Sequence, residues 1–267
     1  MTTSPGIARP RVAAAMFALL LAAAAAVGCH QPLKAPVVFY LEGAGWYTSG
    51  GGVQRGFRQA GYQGQFQTYG WSAFLGPAHD HFVVANNRAV ANGLAKRIEK
   101  VRRAYPDQPI NLLALSAGTA VALNALEQLP DGVMVDNVVL LSSSVSSQRN
   151  LTRAMSHVRR NLYATYSPRD ALLGALVANA DGKPGPPAGR TGFRLVSRTA
   201  AAEQAYRRVF NIPWQPSFLA FGWDGGHTSV TRPDFIASVI VPRITRDGPF
   251  PLDRSVVDRL AVASASD

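Results

Sequence analysis

Leu112-Leu113-Ala114-Leu115-Ser116-Ala117-Gly118 decides how this chain is read. An apolar run meets a serine set between small residues, and an apolar segment of helical character follows. The pattern predicts a buried strand over Ile110–Leu115, a tight turn with Ser116 at its apex, then a helix over 119–129 stopped by Pro130-Asp131-Gly132. Such a turn pushes a hydroxyl out of the sheet. It also points the helix N-terminus, with its unpaired N–H groups, at any negative charge forming there. Ala114 and Gly118, two residues either side, are small because the turn brings backbone close to neighbouring elements. The plainer alternative is a serine that only caps the helix after it.

Outward from this turn, apolar runs of five to seven residues alternate with longer helical patterns. That alternation predicts βαβ units and a mostly parallel sheet of about six strands with helices on both faces. Strands are expected over Val37–Leu41, 65–70, Ile110–Leu115, 135–141, Leu162–Tyr166 and 218–222. Strands buried on both faces read as near-continuous apolar runs, and most of these do. Helices are expected over 53–60, 86–105, 119–129 and 150–158, with a closing helix over 235–244 interrupted at Pro242. In the 86–105 segment Val90, Leu94, Ile98 and Val101 recur every three or four residues, and Pro106 ends it. Three Pro and three Gly make 181–189 a loop. No internal repeat or composition shift divides the chain.

A serine hydroxyl is a weak nucleophile until a base takes its proton. Partners for Ser116 should follow later strands in the order acid, then histidine. Asp170 follows the strand ending at Tyr166, and His227 follows the run ending at Gly222. Asp170 would orient the imidazole, and His227 would act as general base and then general acid. Taken singly they read as a turn aspartate and a loop histidine; together they stand in the required order at one sheet edge. Asp224 competes as the acid, but it sits three residues before His227 and fits a turn. Asp131 and Asp136 flank the start of a strand, at the other edge.

With these residues in place, the chain resembles the α/β-hydrolase superfamily of serine esterases and lipases over roughly 37–244. The A-x-S-x-G turn stands where that family has G-x-S-x-G. The resemblance implies a catalytic triad of Ser116, Asp170 and His227, an acyl-enzyme, and no cofactor or metal. It implies oxyanion donors at the N–H of Ala117 and, in the Glu42-Gly43-Ala44-Gly45-Trp46 turn, at Ala44, with Gly45 as alternative. Glu42 departs from the histidine usual in that turn. Gly43-x-Gly45 lacks the third glycine of a dinucleotide loop. Only residues 30–36 precede the first strand from Cys29, leaving no room for the family's opening hairpin. About 20 residues join the strands ending at Leu141 and starting at Leu162, so no separate cap domain is expected and the cleft should be open. Residues 142–147, five of them serine, line it, and Trp46, Trp71 and Trp223 either line it or pack in the core.

The chain has 267 residues, 47% hydrophobic and 16% charged, which excludes a disordered polymer. Twenty-seven Lys and Arg against 16 Asp and Glu give a net charge of +11, and only four of the 27 are Lys. The arginines are scattered with no aromatic interleaving, so no nucleic-acid partner is expected. One cysteine excludes an intrachain disulfide framework and a thiolate zinc site.

That cysteine, Cys29, ends an apolar stretch over 12–27 that follows Arg9 and Arg11. The arrangement predicts a secretory signal over 1–28, short for a membrane span. Ala26-Val27-Gly28-Cys29 resembles a bacterial lipobox, with Ala26 where Leu is preferred. The resemblance implies lipidation at Cys29, a linker over 29–36, a hydrolase domain over 37–250 and a tail over 251–267. The implied setting is the cell envelope, anchored to membrane through Cys29, or secreted or periplasmic if cleavage is ordinary. The implied substrate is a small-molecule or lipid ester. The rival reading is a non-catalytic envelope protein that keeps the fold as a binding surface. Finally, His79-Asp80-His81 could hold a metal only with a further ligand, so it reads as a polar loop, and His157 reads as a surface residue.

Overall fold

The computed structural model describes residues 36–45, 48–73, 75–85, 87–247, 250 and 253–259. The expected signal segment, Cys29, the linker up to residue 35, Trp46 and most of the 251–267 tail lie outside the described residues. Among the described residues six strands form one sheet: β1 (Val37–Leu41), β2 (Gln65–Thr68), β3 (Ile110–Leu115), β4 (Asn137–Leu141), β5 (Leu162–Tyr166) and β6 (Val209–Pro213). Their order is β2-β1-β3-β4-β5-β6, and every pairing is parallel. This is the expected parallel sheet of about six strands, with no antiparallel hairpin among the described residues.

Side chains alternate across the sheet, which sets the two helix layers. Tyr40, Leu113, Leu115, Val139, Leu141, Tyr163 and Phe210 face one way. They pack against Val53 and Phe57 of α1 (Ser49–Gln59) and against Phe235, Ile236, Ile240 and Ile244 of the closing segment. The intervening Phe39, Leu112, Ala114, Val138, Leu140 and Leu162 are also buried, so the sheet is covered on both faces. On that second face α3 (Gly118–Leu126) lies over β3 and β1, with α2 (Arg88–Ala104) packed beside it. Asn87 caps α2 through its side chain, which accepts from the N–H of Ala89. Each fully buried aliphatic or aromatic side chain contributes about 1.5–3 kcal/mol relative to exposure.

The opposite, amino-terminal edge of the sheet is tied by one buried ion pair. Arg102 at the end of α2 donates to Asp136 at 2.9 Å and to the carbonyls of Met134, Pro106 and Gln108. Asp136 also accepts from the N–H of Ile110 at 2.8 Å, joining the starts of β3 and β4. Removing one partner of a buried pair leaves the other charge uncompensated. Asp136→Ala is therefore expected to destabilise the fold by about 3–5 kcal/mol in denaturant unfolding. A loss under 1 kcal/mol would mean that Arg102 is satisfied by the carbonyls alone.

Several expectations are corrected. The run at 218–222 is not the last strand: Pro216–Phe221 is a 3₁₀ helix and the edge strand is β6. A strand covered on both faces would bury each residue. Here Phe218 is buried against Trp223 while Leu219 is 54% exposed. Before β6 lies α4 (Ala200–Tyr206), capped by Thr199. The helix expected from 53 begins four residues earlier, at Ser49, despite Gly50, Gly51 and Gly52 in its first turn. The expected strand at 135–141 starts at Asn137, with Val135 making an isolated bridge to Val158. The helix expected over 150–158 is the single turn Thr152–Met155. His157 is therefore not on a helix surface: it is buried, its Nδ1 2.9 Å from the carbonyl of Val133. Pro242 does not interrupt the closing helix. It follows a π-turn over Ile236–Ile240 and sits in the first turn of α5 (Val241–Thr245), where a missing N–H is tolerated.

Candidate active site

Ser116 has φ +52°, and the only other non-glycine with positive φ among the described residues is Ser142, at +42°. Both stand one residue past a strand end, Ser116 after β3 and Ser142 after β4. L-residues enter this region at a cost and are held there by their surroundings. The N–H of Ser116 donates to Leu141 at 3.0 Å, and its carbonyl accepts from the N–H and hydroxyl of Thr119. The N–H of Ser142 donates to Thr165 Oγ1 at 3.1 Å. The ends of β3, β4 and β5 are laced together by these bonds. Gly118 explains the second small residue of the motif: a Cβ there would lie 2.3 Å from the carbonyl of Glu42. α3 can start against the end of β1 only without a side chain at that position. Ala114 is fully buried in β3, opposite Leu41 and Leu140.

Asp170, four residues past β5, is fully buried. One carboxylate oxygen accepts from the N–H of Leu173 at 2.9 Å, capping the turn Ala171–Gly174. The other lies 2.8 Å from His227 Nδ1. The aspartate is thus both a helix cap and the histidine's partner, and its second oxygen fixes the ring. His227 itself is 7% exposed.

The loop that delivers His227 is anchored by Trp223, which packs between Phe218 and Phe235 at ring distances of 5.6 and 4.7 Å. Its Nε1 donates to the carbonyl of Gly226. Asp224, the rival acid, is exposed and accepts from the N–H of Gly226 and the hydroxyl of Ser229. Those bonds, Ser229 first, hold its carboxyl below the usual range. It shapes the turn; it does not hold the histidine. Gly225 has φ +93°, and a Cβ there would lie 2.8 Å from Ser167 Oγ, so the loop passes tightly over the turn that carries Asp170.

The turn after β1 completes the edge. Among the described residues nothing accepts from the N–H of Ala44 or Ala117, whereas the N–H of Gly45 donates to Asp80 Oδ2 at 3.3 Å. Of the two amides expected as donor, that of Gly45 is thus engaged within the protein. Glu42 sends its side chain away from the turn, where it accepts from Gly50 at 2.7 Å and from Ser49 at the start of α1. Glu42 thus caps the start of α1, and burial holds its carboxyl above the ordinary range against those bonds. Trp223 is fully buried and packs in the core, whereas Trp71, also buried, donates from Nε1 to the carbonyl of Glu42 at 2.9 Å and lines the space beside the turn. A cavity of about 260 Å³ lies beside this turn, lined by Gly43, Gln54, Phe66, Tyr69, Trp71 and Ser72 among others.

His79-Asp80-His81 is helical, a turn Pro77–His79 running into a π-turn Asp80–Val84. Asp80 and His81 are buried, with His81 Nε2 3.1 Å from the carbonyl of Ala178. Burial lowers the His81 pKa, and the charge of His227 acts in the same direction. Among the described residues no group of three or more His, Cys, Asp or Glu is placed to hold a metal ion. The roles of Glu42, Asp80 and Ser142 were not legible in the sequence. Only the strand-end position of Ser142 carried a signal, because it repeats that of Ser116.

No protein-family model and no curated protein matches the chain. Among solved structures it is similar to Aspergillus fumigatus lipase B, at 12% identity and TM-score 0.49, over 83% of this chain and 56% of that one. The chain thus spans little more than half of that lipase. It is also similar to a Trichoderma reesei cutinase solved with a phosphonate inhibitor, at 16% identity and TM-score 0.40, over 84% and 85% of the two chains. A third is the carboxylesterase CesB from Bacillus subtilis, at 12% identity and TM-score 0.36, over 77% and 82%. At such identities and scores these likenesses carry no residue role and no substrate over to this chain.

Proposed function

We propose that the chain is a serine hydrolase that cleaves a carboxylic ester or related acyl bond. The observation that carries this reading is the buried Asp170–His227 pair, 2.8 Å apart, at the sheet edge where Ser116 is held at φ +52°. His227 Nε2 takes the Ser116 proton as Oγ adds to the acyl carbon, and Asp170 keeps Nδ1 protonated and stabilises the imidazolium. The N–H groups of Ala117 and Ala44 receive the oxyanion. His227 then hands its proton to the leaving alcohol. Water, deprotonated by the same ring, releases the acid from the acyl-enzyme. The reading is supported by where Ser116 and Asp170 stand, just past the carboxyl ends of parallel strands, where open α/β sheets bind ligands.

A fluorophosphonate is expected to form one adduct, mapped to the peptide containing Ser116 and absent from Ser116→Ala. No adduct on folded protein would favour a binding protein that keeps the fold. Export through residues 1–28 and lipidation of Cys29 belong to the same proposal. The intact mass in that experiment reads them directly, as a chain beginning at Cys29 with added acyl mass.

A further inference from the structure

We propose that Asp80 is a positioning residue for the oxyanion turn; the inference rests on the serine-hydrolase reading above. Asp80 is fully buried, and its side chain is spent on two loops that both follow strands at the site edge. Oδ2 accepts from the N–H of Gly45, in the turn after β1, at 3.3 Å, and from Ser72 Oγ at 2.5 Å. Oδ1 accepts from the N–H of Ala73, in the segment after β2, at 3.0 Å. The backbone of Asp80 is itself fixed: its N–H donates to Gly76, and its carbonyl accepts from Ala85 in a π-turn. Turns of that kind recur at functional sites because they re-aim one side chain without ending the helix.

The consequence is directional. The turn is gripped on one side by Trp71, which donates to the carbonyl of Glu42, and on the other by Asp80, which accepts from Gly45. Between these grips lie Gly43 and Ala44, and Ala44 is the proposed second donor. A hydrogen bond to a carboxylate is stronger than one to a neutral acceptor, and buried it is stronger again. It fixes the Ala44–Gly45 peptide plane, as the Trp71 bond fixes the Glu42–Gly43 plane, so the Gly43–Ala44 plane that carries the Ala44 N–H is held from both sides. Asp80 touches neither substrate nor oxyanion; it acts through the turn. An oxyanion donor contributes only in the transition state, so its misdirection lowers kcat rather than raising KM.

The test is Asp80→Asn. The amide keeps the shape but offers one acceptor oxygen in place of two, so Gly45 and Ala73 can no longer both be served. Losing a donor outright lowers kcat by about 100–1,000-fold, so misdirecting one is expected to lower it by roughly 10–100-fold. KM should stay within about threefold and the pH dependence of kcat should keep its midpoint, since Asp170 and His227 are untouched. A structural role alone would lower the folded fraction without this split. If Asp80→Asn does not fold, Asp80→Glu, which keeps the charge and displaces it by one methylene, is expected to show the same fall in kcat. Fluorophosphonate labelling of the wild type in the same run separates two failures. A labelled wild type with an Asp80→Asn kcat within threefold overturns the role of Asp80 alone. An unlabelled wild type overturns the serine reading and this role with it.

Discussion

Ser116→Ala is expected to lower ester turnover by about a million-fold, the effect of removing the nucleophile from a triad hydrolase. The substitution changes chemistry and little else. Ala keeps the Cβ that Ser116 already carries at φ +52°, and the bonds that hold the turn run through its backbone N–H and carbonyl. Denaturant midpoints of variant and wild type are therefore expected to coincide within error. The small residual rate would come from the N–H groups of Ala117 and Ala44 and from binding alone. Single-turnover assays with an activated ester check this, with loss of the acyl-enzyme burst as the direct sign. A rate within tenfold of wild type in folded Ser116→Ala would remove Ser116 from the mechanism. It would also turn the strain at that residue into a property of the turn alone.

Much of this was legible because two physical signals agree in the sequence. Continuous apolar runs mark strands covered on both faces, so β1, β3 and β5 stand at their expected bounds. Small residues around Ser116 mark a close approach, which the space at Gly118 explains. The signals failed where they diverge. β6 is an edge strand broken by Asn211 and ending at Pro213, so its run is weak. The 218–222 run is strongly apolar but serves to anchor Trp223. His157 looked exposed because arginines surround it, yet its ring is spent on the carbonyl of Val133. Glu42 and Asp80 were opaque for another reason. A carboxylate that accepts backbone N–H groups from distant segments leaves no periodic trace in its own neighbourhood. The buried Asp170–His227 pair was legible only as an order of residues along the chain. The fold turned that order into a hydrogen bond by passing the Gly225 loop over Ser167.

Asp170→Asn separates the two aspartates that compete for the acid's place, and it is expected to lower kcat by about 10,000-fold. Asp170 uses both oxygens, one for the N–H of Leu173 and one for His227 Nδ1. Asn has one oxygen and one NH2 group. If its oxygen stays on Leu173, the NH2 faces Nδ1, which must then present its lone pair. The ring proton moves to Nε2, and His227 can no longer accept from Ser116. If the amide turns instead, the ring keeps its tautomer but Leu173 loses its cap, at about 1 kcal/mol of stability, and the imidazolium loses its counter-charge. Either way the rate falls. Asp224→Asn should differ sharply. Its carboxylate is exposed and bonds only within its own turn, so a loss under about tenfold in kcat/KM is expected, through the aim of the His227 loop rather than the ring's tautomer. Steady-state kinetics on both variants decide the matter. Equal losses would mean that the loop's shape, not the Asp170 charge, limits catalysis, and a larger loss in Asp224→Asn would reverse the assignment.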